Sequence, residues 1–176
     1  MTLRDHVIWG GAGAAALWPV MGGLWSAVFW AASVLIDVDH YIDYVYHTGL
    51  RDWSIRRMFA YHKELTRHWH SPAFLNVEVF HTAEFLAVLY AAAHVTGLAP
   101  LKAVFWGFIF HSGLDVVFLA RHGIFTRRAY SFTEYFLRKR AMESRGFSPE
   151  KLCFHVAGRV LEPGPPGACG CSRNES

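Results

Sequence analysis

The stretch VIWGGAGAAALWPVMGGLWSAVFWAASVLI, residues 7–36, runs directly into Asp37-Val38-Asp39-His40, and its reading decides the fold. No charged side chain interrupts it, and it is longer than the roughly 20 residues of one upright membrane span. Two helices are therefore predicted. The turn between them falls at Met21-Gly22-Gly23, because paired glycines interrupt helices. The first helix is expected from about Leu3 to Val20, kinked near Pro19, and the second from about Leu24 to about Tyr46. Gly10, Gly11 and Gly13 suit close backbone approach to a neighbouring helix. Arg4 ahead of an apolar run is also how a secretory signal begins. Asp5 and His6 beside it, and apolar sequence that continues past any cleavage point, favour a retained span.

Two further apolar blocks run from about Val79 to Ala99 and from Leu101 to Ala120, with Gly97 and Pro100 as the turn between them. The expected fold class is an all-α integral membrane protein with about four transmembrane helices and additional interfacial amphipathic helices. Composition agrees: of 176 residues, 53% are hydrophobic and 18% charged, against roughly 25% charged in soluble domains. A soluble all-α bundle is the competing reading. The formal charge of +3 is too small to argue for nucleic acid. Arg51, Arg56, Arg57, Lys63, Arg67, Arg121, Arg127, Arg128 and Arg138-Lys139-Arg140 all fall on one side of the expected spans. The positive-inside rule then places both termini and the loop 47–78 in the cytoplasm, as in a bacterial inner membrane.

The expected organisation is a membrane domain over 1–124, basic amphipathic helices over 125–161 and a disordered tail over 162–176. Ile55, Met58, Phe59, His62 and Leu65 recur at helical spacing within the middle loop. Ser131-Phe132-Thr133-Glu134 reads as a capping box, and Ser148-Pro149-Glu150 as a second helix start with proline at its first position. Cys153, Cys169 and Cys171, an odd number near the C-terminal end, form no disulfide framework.

Ionisable residues inside spans are costly and mark functional sites. Asp37, Asp39, His40 and Asp43 lie on the second helix, His81 and Glu84 open the third, and His111 and Asp115 lie on the fourth. At about 1.5 Å per residue, those from Asp37 to His40, His81, Glu84, His111 and Asp115 fall roughly 15–27 Å from the outer turns, in one slab toward the cytoplasmic side. Buried acids and imidazoles cannot stay as unpaired charges. A divalent cation would resolve the conflict, and these ligand types suit Zn²⁺ first. Asp37 and Asp39 would sit near the negative end of their helix, which also calls for a cation. His94, without an acidic companion, is expected in the packed core. His6, His47, His122 and His155 are expected at the surface. His62 falls on the apolar side of the interfacial helix, where it could reach a pocket mouth.

The ordered strings Asp37-Val38-Asp39-His40, Phe80-His81-Thr82 and Phe110-His111-Ser112-Gly113-Leu114-Asp115 resemble the membrane-bound metal-dependent hydrolase family over roughly residues 6–120. The resemblance implies a helical membrane protein with a metal-activated water and carries over Asp37, Asp39, His40, His81, His111 and Asp115 as candidate ligands. His81-Thr82 stands where His-Ser is commoner. Six groups exceed the needs of one zinc, so either some orient the others or two ions bind. Glu84, Asp43 or another helix-two carboxylate would accept the water's proton, with His62 a further catalytic candidate. Membrane lipid surrounds such a site, and an amphiphilic ester, amide or phosphoester is the expected substrate. A metal or proton transporter and a non-catalytic scaffold are the alternatives from other classes.

Overall fold

The structure, a computed structural model, describes residues 3–162. The tail beyond, with Cys169, Cys171 and the expectation of disorder attached to it, lies outside the described residues. The chain is mostly helical: α1 (Leu3–Leu35), α2 (Val38–His47), α3 (Ile55–Thr66), α4 (Ala83–Thr96), α5 (Ala99–Arg121), α6 (Phe132–Glu143) and α7 (Pro149–Leu161). A two-residue parallel ladder pairs β1 (Asn76–Val77) with β2 (Arg128–Ala129).

The first helix is two arms joined at Gly22, whose φ of 73° and ψ of 165° lie outside helical space. Glycine adopts such a backbone without a Cβ penalty. The arms fold back on each other. Trp30 Nε1 donates to Val7 O at 3.0 Å, and a Cβ on Gly10 would lie 2.4 Å from Ser33 Oγ. Helix α5 joins this hairpin at Gly107, where a Cβ would stand 2.6 Å from the Phe29 carbonyl oxygen. Small residues at these crossings let the backbones meet.

Among the described residues, two stretches are long and apolar enough to cross a membrane, Leu3–His47 and Ala99–Arg121. The 14-residue α4 is apolar but shorter. Only 28% and 22% of the most apolar windows of the two long stretches are buried, whereas the core helix of a soluble protein would be mostly covered. Their apolar surface, with Trp18, Val20, Leu24 and Trp106 exposed, faces outward.

The second arm does not run on to Tyr46 as expected. It stops at Leu35, and α2 starts anew after Asp37. Asp39 N donates to Ile36 O and His40 N to Asp37 O, both three residues back. This corrects the dipole argument: Asp37 immediately precedes α2, without a side-chain capping bond, and Asp39 lies in its first turn, the positive end of that helix, where carboxylates are favoured. The third apolar block is likewise divided. Val79–His81 form a single 3-10 turn, and Thr82 caps α4 by accepting from Phe85 N at 3.3 Å.

The starts of α6 and α7 follow the expected pattern. Ser131 Oγ accepts from Glu134 N, and Glu134 Oε2 accepts from Tyr130 N. Ser148 Oγ accepts from Lys151 N, with Pro149 at the first turn. Helix α3 packs its apolar face against protein: Met58, Tyr61 and Leu65 form a core with Tyr44 and Val45 of α2, Phe74, and Cys153, Val156 and Ala157 of α7. Ile55 and Phe59, on its other side, are exposed.

Candidate metal centre

Four side chains from three places in the chain converge. His6 comes from the first arm of α1, Asp37 from the junction before α2, and His111 and Asp115 from successive turns of α5. His6 Nε2 lies 3.8 Å from Asp37 Oδ2 and 3.5 Å from Asp115 Oδ1. His111 Nε2 lies 3.2 Å from Asp37 Oδ1 and 3.5 Å from Asp115 Oδ2. The two imidazoles stack with centroids 4.0 Å apart.

Hydrogen bonds around the group fix how it presents itself. His111 Nδ1 lies 2.6 Å from Ser33 O, and a carbonyl can only accept, so Nδ1 carries a proton and the neutral ring would offer its lone pair at Nε2. His111 Nε2 and Asp37 Oδ1 are buried without an aligned hydrogen-bond partner among the described residues. Such orphaned atoms are costly. A cation suits them: ligands at about 2.0–2.1 Å from a tetrahedral zinc stand roughly 3.3 Å apart, close to the separations here. The group could hold a metal ion.

A second constellation adjoins the first. Glu78, His81 and Asp115 also bring ligand atoms within 4.8 Å of one another. His81 Nε2 is 4.0 Å from Asp115 Oδ2, and His81 Nδ1 is 3.2 Å from Asp39 Oδ2. The same Asp39 oxygen accepts from Phe80 N at 2.7 Å. Asp39 therefore orients His81, as carboxylates commonly orient metal-binding histidines. Arg128, buried beside the β1–β2 ladder, donates from Nη1 to Asp115 Oδ2 at 2.9 Å and from Nη2 to Glu78 Oε2. Burial pulls its pKa down to about 10, so it remains charged at neutral pH.

His40 links the two constellations. Its Nε2 is 3.6 Å from Asp37 Oδ1 and its Nδ1 is 3.5 Å from Glu78 Oε1, and its side chain is 33% exposed. That exposure faces a cavity of about 870 Å³ lined by Asp37, His40, His62, Glu78, Asp115 and Arg128 at its polar part and by Val34, Phe59, Phe74 and Phe118 among its apolar walls. His62 Nε2 donates to His40 O at 2.7 Å, and burial lowers the pKa of His62 below its ordinary value. His62 thus reaches the cavity from α3, as its helical position suggests.

Of the sequence-derived candidates, the fold brings Asp37, His111 and Asp115 into one group, sets His40 and His81 against it, and places Asp39 behind His81. It does not bring Asp43 or Glu84 there. Asp43 accepts from Tyr61 Oη at 3.2 Å and pairs with His47 at 3.0 Å. Glu84 Oε1 accepts from Ser131 Oγ at 2.7 Å and Phe132 N at 3.1 Å, tying α4 to the start of α6.

Three histidines stand elsewhere than expected. His6 is buried in the centre of the group, and His47 is half-buried against Asp43. His94 is exposed and stacks on Tyr90 with centroids 5.9 Å apart, because Ala93 takes the inward face of α4. Glu78 and Arg128 had no sequence signal. Arg128 lies four residues past the expected boundary at 124 and contacts Glu78 and Asp115.

No protein-family model matches the chain, and neither the curated proteins nor the solved structures provide a match.

Proposed function

We propose that the protein is a membrane-embedded, metal-dependent hydrolase. The observation that carries this reading is a buried His₂Asp₂ group beside a large cavity whose remaining walls are mostly apolar. In this reading His6, Asp37, His111 and Asp115 hold one divalent ion, Zn²⁺ by ligand type. When bound, such an ion lowers the pKa of a water toward neutrality and polarises a carbonyl or phosphoryl oxygen. His40 faces the cavity between Asp37 and Glu78 and takes the proton, with His62 holding its backbone in place. The apolar walls accept the chain of an amphiphilic ester, amide or phosphoester, which enters from the surrounding lipid.

The long α1 hairpin, α4 and α5 make four membrane crossings in this proposal, with α4 and the second arm of the hairpin the short ones. The basic loops and both termini face the cytoplasm. Packing of α3 on α7, with Arg159 Nη1 3.5 Å from Glu64 Oε1, supports a common side for the middle loop and the C-terminal helices.

Elemental analysis of the purified protein tests the site. Bound zinc is expected in the native chain and absent after His6→Ala or His111→Ala, with hydrolysis of a panel of lipid esters, amides and phosphoesters lost in parallel. Retention of zinc in both variants would remove the site. Zinc uptake into proteoliposomes without hydrolysis of any panel member would favour a transporter.

A further inference from the structure

The two candidate metal groups share Asp115 but differ in how their polar atoms are already used. In the first, His111 Nε2 and Asp37 Oδ1 are buried and lack aligned hydrogen-bond partners among the described residues. In the second, Glu78 Oε1 accepts from Asn76 Nδ2 at 3.0 Å, and Glu78 Oε2 accepts from Arg128. His81 Nδ1 donates to Asp39, while His81 Nε2, like His111 Nε2, is buried without an aligned hydrogen-bond partner among the described residues, so the two groups differ in their carboxylates. The Arg128 guanidinium spans the two acids of that second group, one nitrogen on each. A guanidinium is always charged at neutral pH and its fork matches two carboxylates. The second group thus already contains a fixed cation, whereas the first has only the imidazoles of His6 and His111 beside its two carboxylates.

Resting on the hydrolase reading above, we infer that each chain holds a single divalent ion at His6, Asp37, His111 and Asp115, and that Arg128 occupies the place of a second ion between Glu78 and Asp115. Arg128 is a positioning residue: it holds Asp115 toward the first group and keeps Glu78 out of the ligand set. The two-residue ladder makes this possible. Pairing Asn76 with Arg128 sets Glu78, two residues on, beside the guanidinium.

The test is the zinc stoichiometry of the full chain in detergent, stripped with a chelator and titrated with Zn²⁺ alone, with folding followed by size exclusion and thermal unfolding. The native protein is expected to bind one ion, Arg128→Ala two, Arg128→Lys one and Glu78→Gln one. Two ions in the native protein would overturn the inference while leaving the hydrolase reading intact. One ion in folded Arg128→Ala would also overturn it. Should Arg128→Ala fail to fold, Glu78→Gln decides: one ion supports the inference, and loss of the ion overturns it by making Glu78 a ligand. No zinc in the native chain would defeat the underlying metal site and the inference together.

Discussion

At Asp39 one carboxylate oxygen accepts two hydrogen bonds, from Phe80 N and His81 Nδ1, so it holds both the backbone and the ring of the loop before α4. His81 lies outside the ligand set proposed above, so Asp39 supports a wall of the site and not a ligand. Asp39→Ala is expected to change zinc affinity by less than about tenfold, below the range typical of a carboxylate that orients a ligand, and Asp37→Ala to abolish binding, as measured by competition with a chelating dye. Equal losses would make Asp39 a ligand in its own right. His6 shows how a ligand-type residue is overlooked. Arg4 and Asp5 beside it suggest a headgroup position, yet His6 lies 16 residues before the Gly22 hinge, roughly 24 Å at 1.5 Å per residue. That depth matches the slab of Asp37 and Asp115, so the same arithmetic could have included it. Glu84 errs the other way: it shares the depth, but its side chain turns to the start of α6.

Helices were legible wherever punctuation was strong. The glycine hinge at Gly22, the Gly97 cap with its φ of 68°, Pro100 at the start of α5 and the serine caps of α6 and α7 follow from elementary backbone preferences. The break between α1 and α2 was not legible, because Leu35-Ile36-Asp37-Val38 contains neither glycine nor proline. The β1–β2 ladder was not either, since two residues carry no periodicity. Contacts between elements can be tested where no space is left. Gly107→Ala would place a Cβ 2.6 Å from the Phe29 carbonyl oxygen and 2.9 Å from Ala32 Cβ. Backbone cannot yield there, and overpacking costs about 1–3 kcal/mol. A lower thermal unfolding temperature is expected for Gly107→Ala in detergent, while Gly113→Ala, with nothing within 4 Å of its added Cβ, should unfold as the native protein does. At the start of α4, Thr82→Val removes an N-cap worth about 1 kcal/mol and should destabilise the chain, whereas Thr82→Ser should restore it.

On the scale of the whole molecule, a polar-lined site sits where an apolar hairpin meets a small protein-packed layer of α2, α3 and α7. Helix α3 serves both sides: Tyr61 and Leu65 belong to the layer's core, while Phe59 and His62 line the cavity. Undocking α7 would therefore loosen a cavity wall. Cys153 reports on that docking, because it is buried in the shared core and burial pushes its thiol up to about 12 from an ordinary value of 9.0. Three pKa units mean about a thousandfold less thiolate near neutral pH. The raised value also fixes the sign of the pH dependence. The folded state keeps the neutral thiol while the unfolded chain ionises, so this group leaves stability unchanged below about pH 9 and lowers it as pH rises toward about 12. With Cys169 and Cys171 changed to serine, maleimide at pH 8 should label native Cys153 at least about a hundredfold more slowly than the denatured chain. Labelling at the denatured rate would mean that α7 is not docked on α3, and that this wall of the cavity is not built from a closed core.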